Sequence, residues 1–302
     1  SFTVVVNDAQ VPSITCGVSG TQNVFANSGV CTYTHNSNSW NPSATSDNCG
    51  VASVTCSLSG ATTATNLTTL NGKTFNSGTT TVVWSVKDAA NNVSTCSFTV
   101  VVNDAQVPSI TCGVSGTQNV FANSGVCTYT HNSNSWNPSA TADNCGVASV
   151  TCSLSGATTA SNLTTLNGQT FNSGSTTVTW TVKDAANNVS TCGFAVVVND
   201  AQVPSITCGV SGTQNVFANS GVCTYTHNSN SWNPSATSDN CGVSTVTCAL
   251  TGATTASNLT TLNSQVFNKG TTTVTWTVKD AANNVSTCGF TVVVSDNQLP
   301  QI

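Results

Sequence analysis

Residues 78–104 read GTTTVVWSVKDAANNVSTCSFTVVVND, and two strands are written in them. Val82, Trp84 and Val86 fall on one parity; further on, Phe98, Val100 and Val102 alternate with Thr99, Val101 and Asn103. A period of two is the pattern of a strand with one buried face. The same reading holds where Val178, Trp180 and Val182 alternate with Thr177, Thr179 and Thr181. Upstream, Ala52, Val54 and Cys56 alternate with Val51, Ser53 and Thr55. Clusters of Asn, Gly, Ser and Pro separate these runs, and no helical periodicity interrupts them.

The pattern recurs. VNDAQVPSITCGVSGTQNVFANSGVCTYTHNSNSWNPSAT begins at Val6, at Val102 and at Val198, a period of 96 residues without insertion or deletion. Such a period is too long for a solenoid unit and long enough for an autonomous domain. Copies are expected at 9–104, 105–200 and 201–296. Residues 1–8 repeat the end of a copy and residues 297–302 the start of one. The first stretch reads as the last strand of a preceding copy, or as a strand donated to a neighbouring molecule. Short strands and frequent turns in a unit of this size predict an all-β fold. The expected architecture is tandem immunoglobulin-like antiparallel sandwiches with Greek-key connections, stabilised by disulfides.

Composition narrows the function. Of 302 residues, 5% are charged, and every acid is Asp and every base Lys. Five lysines cannot line a nucleic-acid backbone or a polybasic membrane surface. No stretch approaches the ~18 apolar residues of a membrane span. No signal peptide is recognisable, so the sequence reads as a mature chain or an internal fragment.

The motifs VPSITC (11–16), SDNCGVASVTC (46–56) and residues 78–104 together closely resemble the HYR (hyalin repeat) domain. That family typically reads P-x-I-x-C, D-N-C-G-V, G-T-T-T-V, D-x-x-G-N and T-C-S-F-T-V-x-V. The resemblance implies immunoglobulin-like extracellular modules, often in tandem, linked to adhesion and matrix, with no catalytic site to carry over. Three departures stand out. Asn91-Asn92 replaces the usual Gly-Asn, the loop HNSNSWNPSAT (35–45) looks long, and Trp84, Trp180 and Trp276 stand where many members have Cys.

Five cysteines per copy leave one over. Their spacing lacks the C-x-x-C rhythm of a zinc site. Where family members carry Cys opposite Cys56, Trp84 fills the space, so Cys56, Cys152 and Cys248 are expected as buried free thiols. First and last strands commonly run side by side in such sandwiches, which favours Cys16–Cys96, Cys112–Cys192 and Cys208–Cys288. Cys31–Cys49, Cys127–Cys145 and Cys223–Cys241 follow by exclusion. Cys16–Cys31 with Cys49–Cys96 remains an open connectivity, and an intermolecular bridge is the competing use of the odd cysteine.

Sequons recur at Asn66 and Asn92, Asn162 and Asn188, and Asn258 and Asn284, marking N-glycan acceptors on a eukaryotic secretory route. Abundant Ser and Thr would also admit O-glycans, though Thr is equally a good strand residue. Immunoglobulin-like connectivity would gather Asp8, Asp47 and Asp88 at one end of a copy. It would likewise gather Asp104, Asp143 and Asp184, then Asp200, Asp239 and Asp280. Three carboxylates suit Ca²⁺ at a domain junction; the plainer reading is local Asx turns. No cofactor is required. His35, His131 and His227 lack a second His or Glu and read as structural, and Trp40, Trp136 and Trp232 as local packing or a sugar-stacking surface.

The sequence therefore points to a non-enzymatic structural component of an extracellular fibre or matrix filament that associates with itself. The alternative is a cell-surface adhesin or spacer whose Trp-bearing loops bind glycan or a matrix protein. Neither nucleic-acid binding nor membrane insertion is expected. The short, Pro-containing linker NDAQVP predicts limited bending between copies.

Overall fold

The computed structural model describes residues 1–299. The first copy holds nine strands: β1 (Ser13–Thr15), β2 (Thr21–Phe25), β3 (Thr32–His35), β4 (Ala44–Ser46), β5 (Val51–Gly60), β6 (Ala64–Leu67), β7 (Lys73–Asn76), β8 (Gly78–Asp88) and β9 (Val93–Asn103). A five-stranded sheet runs in the order β2-β9-β8-β5-β6. All its neighbours are antiparallel except β2 and β9, which run parallel from Thr21↔Thr99 to Phe25↔Asn103. Two short antiparallel ladders, β1–β4 and β3–β7, complete the sandwich.

The alternation read from residues 78–104 sets the inner face. Val82, Trp84, Val86 and Val100 are fully buried, with Phe98 and Val102 close to it. Leu58, Leu70, Phe75 and Cys56 close the core against them, and Ile14, Cys16 and Tyr33 pack on its margin. Cys56 faces Trp84 across the β5–β8 pair, and Trp84 faces Cys96 across β8–β9. At Gly60 (φ +100) a Cβ would collide with the Thr79 carbonyl, so glycine is needed where β5 closes on β8.

The long loop has a structural use. Residues 36–43 separate β3 from β4, and Trp40 returns from this loop into the core at 6% exposure. Its ring stacks on His35 at 3.8 Å, meets Phe75 and Phe98 edge-on, and its carbonyl accepts the Trp84 indole N–H at 3.0 Å.

By contacts the chain divides into two units: residues 1–114, 137–152 and 179–192, and residues 115–136, 153–178 and 193–302. The first unit contains the first copy. The second contains the third copy, whose strands repeat the same order and register, with Cys248 opposite Trp276 and Trp276 opposite Cys288. The middle copy contributes to both: Ser109–Thr111 pairs with Ala140–Ala142 in the first, and Thr117–Phe121 runs parallel to the strand ending at Asn199 in the second.

Residues 1–12 form no strand, and Phe2, Val4, Val5 and Val6 are 68–89% exposed. The matching segment Phe98–Val102 is a strand because β8 and β2 flank it; Phe2–Val6 has no such flanks among the described residues. Residues 296–299 form no strand either, and the rest of the expected following copy, 300–302, lies outside the described residues.

Candidate functional site at the copy junctions

Chain direction decides where the polar residues go. From Cys31 through β3 and β4 to Cys49 the backbone crosses the sandwich once, so these cysteines lie at opposite ends. Cys31 sits at the exit end: its carbonyl accepts from Ser77 N, and nearby Ala26 N donates to Asn103 O, where β9 leaves the copy. Cys49 sits at the entry end beside Asp8, Asp47 and Asp88.

This corrects the expected Cys31–Cys49, Cys127–Cys145 and Cys223–Cys241 bridges. Cys31 is bonded to Cys145 of the next copy (Cα–Cα 4.6 Å) and Cys127 to Cys241 (4.7 Å). Cys49 and Cys223 are free and exposed. Within copies, Cys16–Cys96, Cys112–Cys192 and Cys208–Cys288 are joined, each across 80 residues. Cys56, Cys152 and Cys248 are buried thiols outside any disulfide; burial pushes the first two up to about 11 and Cys248 to about 12.

Around Cys31–Cys145 the linker is tied to both copies. Gly29 N donates to Gln106 Oε1 (3.1 Å), and Asn144 Nδ2 donates to Val30 O (3.0 Å) and to Asp104 Oδ1 (3.2 Å). Asn188 Nδ2 donates to Asp104 O at 3.2 Å. The second junction repeats this: Gly125 N to Gln202 Oε1, Asn240 Nδ2 to Val126 O and Asp200 Oδ1, and Asn284 Nδ2 to Asp200 O. The Gln and Asn anchors were not read from the sequence. Their signal was only their invariant spacing from the cysteines.

Each junction also collects acids. Asp104, Asp143 and Asp184 place ligand oxygens within 4.8 Å of one another, as do Asp200, Asp239 and Asp280, and Asp8, Asp47 and Asp88. These are the three groupings expected from the sequence. At an effective dielectric near 20, two unit charges about 4.8 Å apart repel by roughly 3.5 kcal/mol, and closer ones by more. Part of each carboxylate is held by local bonds: Asp143 Oδ2 accepts from Cys145 N (2.8 Å), and Asp104 Oδ1 from Gln106 N (3.1 Å). Asp184 accepts from Asn188 N and Nδ2, both at 2.8 Å. Burial alone would raise the Asp184 carboxyl, but those amides, with the Ala186 N–H and Asp104, hold it below its ordinary value. Asp88 is held low in the same way by Asn92, Ala90 and Asn91. Asp8, followed by burial and the other acids, holds the Cys49 thiol above its ordinary value.

Asn92 is half-buried and its Nδ2 already donates to Asp88 Oδ2 (2.7 Å) and to the carbonyls of Asp8 and Gln10. Asn188 and Asn284 are similarly engaged with Asp184 and Asp280. A glycan on those amides would displace junction bonds, whereas Asn66, Asn162 and Asn258 are exposed. Trp40, Trp136 and Trp232 are 5–6% exposed and present no face to a sugar. His35, His131 and His227 are buried against them. No helix among the described residues is long and apolar enough to cross a membrane.

No curated protein matches the chain. Solved structures similar to it include mouse cadherin-23 EC22-24 (15% identity, 95% of this chain and 99% of that one, TM-score 0.30). Human CDH23 EC21-23 is similar at 14% identity, 94% and 100% coverage and TM-score 0.32. The protocadherin gammaB4 extracellular domain is similar at 16% identity and TM-score 0.31; the chain covers 96% of itself but 51%, about half, of that longer protein. The family model for the HYR domain matches residues 7–102 and again residues 103–198, and the chain belongs to the HYR domain family.

Proposed function

We propose that this chain is part of an extracellular structural array in which HYR copies are joined end to end into a filament. The observation that carries this reading is the pair of bridges between copies, Cys31–Cys145 and Cys127–Cys241. Disulfides persist in oxidising surroundings outside the cytosol. A bridge between neighbouring domains contributes to the join rather than to either core. Cys49 stands where Cys145 and Cys241 stand in the later copies, and Cys223 where Cys31 and Cys127 stand in the earlier ones. Each is an exposed, unused half of the same bridge. Beside Cys223, a cavity of about 630 Å³ is lined by Gly221, Val222, Asp296 and Gln298, the equivalents of Gly29, Val30, Asp104 and Gln106 at the first junction.

The reading of a glycan-binding spacer loses its residues, because the Trp rings it needs are core side chains. Catalysis has no support in His35, whose ring is committed to the Trp40 stack and to Ser37 Oγ at 3.1 Å. Mild oxidation with a glutathione pair, followed by non-reducing electrophoresis and peptide mapping, tests the proposal. Oligomers joined through Cys49–Cys223 peptides, with filaments in electron micrographs, are the expected result. Chains that stay single, or that pair Cys49 with Cys49 at random, would overturn it.

A further inference from the structure

We propose that the acid clusters are calcium sites, one at the entry end of each copy. Each cluster holds carboxylate oxygens that no protein group satisfies. At the first junction Asp104 Oδ2 and Asp143 Oδ1 are sealed from solvent without a hydrogen-bond partner. At the second the same atoms of Asp200 and Asp239 are sealed and unpartnered, and in the first copy those of Asp8 and Asp47. Buried charge without a partner is expensive, and three recurrences of one pair of atoms make a pattern rather than a local defect.

The satisfied oxygens show which atoms are left for a ligand. Asp104 Oδ1 is taken by Gln106 N and Asn144 Nδ2, and Asp143 Oδ2 by Cys145 N. The free oxygens are therefore Asp104 Oδ2 and Asp143 Oδ1; the Asp184 carboxylate lies within 4.8 Å, each of its oxygens accepting one bond from Asn188 and keeping a second lone pair for an ion. At the two junctions between copies another acceptor is stranded: Asn144 Oδ1 and Asn240 Oδ1 are sealed and unpartnered, next in sequence to Asp143 and Asp239.

The donor set selects the ion. Every candidate ligand is oxygen, and the cysteine beside each junction cluster is spent in a bridge. At these two junctions soft metals that want thiolate or imidazole find no ligand, whereas the first cluster has the Cys49 thiol beside its carboxylates. Calcium holds oxygens at about 2.3–2.6 Å, so it spans donors up to about 4.8 Å apart. Magnesium, at about 2.0–2.1 Å, needs a tighter octahedron. Three carboxylates supply part of calcium's coordination, and water and the stranded amide oxygen are available for the remainder. The ion would join the linker Asp104 to Asp143 and Asp184 of the following copy. This proposal does not depend on filament assembly.

The test is isothermal titration of the intact, bridged chain with CaCl₂ after chelator treatment, together with its melting temperature. Saturable binding of two to three ions per chain is expected in the range of about 0.1–1 mM, typical of extracellular modules. The melting temperature should rise with calcium, and magnesium should not substitute at equal concentration. Asp143→Asn with Asp239→Asn keeps an oxygen for the Cys145 and Cys241 N–H groups and removes a ligand charge. It should lower affinity at two sites by at least about tenfold, as loss of a ligand or its support does elsewhere. Absence of binding by the unsubstituted chain at millimolar calcium would overturn the proposal whatever the variant does. Unchanged affinity in a folded variant with intact bridges would overturn the assignment to these residues.

Discussion

Pulling the chain between Cys49 and Cys223 should reveal a short covalent path that the linear sequence conceals. Both thiols are free and exposed, so handles can be attached there without disturbing a bridge. With the intercopy bridges closed, the shortest path runs 18 residues from Cys49 back to Cys31, crosses to Cys145, runs 18 back to Cys127, crosses to Cys241 and runs 18 back to Cys223. At about 3.5 Å per extended residue those three segments total roughly 190 Å, plus two short bridges. Along the backbone the two thiols are separated by 174 residues, roughly 610 Å extended. Single-molecule stretching of the oxidised chain should therefore stop near the shorter length even after every copy has unfolded. Reduction should lengthen the limit about threefold. A limit that ignores reductant would show that Cys31–Cys145 and Cys127–Cys241 do not form.

Trp40→Ala should destabilise the first copy by about 3–5 kcal/mol, the usual cost of emptying a buried aromatic site, read as a fall in one calorimetric transition; an unchanged transition would mean Trp40 is not core. Burial holds His35, His131 and His227 below the ordinary imidazole value of 6.5. A folded-state value below the unfolded one gives stability that is full above pH 6.5 and lost as pH falls through the folded value, so thermal stability should decline on acidification below pH 6.5 and not above it. Iodoacetamide at pH 8 should label Cys49 and Cys223 in the native chain and reach Cys56, Cys152 and Cys248 only after unfolding, with mass spectrometry as the readout. Asp8→Asn should speed labelling of Cys49, because Asp8 is the main group disfavouring its thiolate.

The strands were legible because alternation survives where one face is buried: Val82, Trp84 and Val86 needed no partner to be recognised, and Cys56 opposite Trp84 followed from parity. The Asp groupings were legible because loops at one end of a sandwich converge whatever their contacts. Cys31–Cys145 was missed because a search confined to one copy must pair Cys31 with Cys49 by exclusion. Yet the loop argument that gathers Asp47 at the entry end carries Cys49 there too, and one crossing of the sandwich puts Cys31 at the other end. Trp40 was ambiguous for a different reason. A Trp among Asn and Ser looks exposed until the strand interruption at 36–43 shows that its loop folds inward.

The position of the bridge also fixes the polarity of the array. The surface around Gly29–Cys31 receives the loop Asp143–Cys145, and the surface around Gly125–Cys127 receives Asp239–Cys241. Donor and acceptor surfaces are different parts of the copy, so the contact is heterologous and no copy satisfies itself. A self-complementary contact would close after one pair. Among the described residues, Cys223 on the one surface and Cys49 on the other are the members without a bridge. In the proposed array, identical junction loops would let each copy be donor to one neighbour and acceptor for the next. A substitution in either loop would alter every join in which that copy takes part.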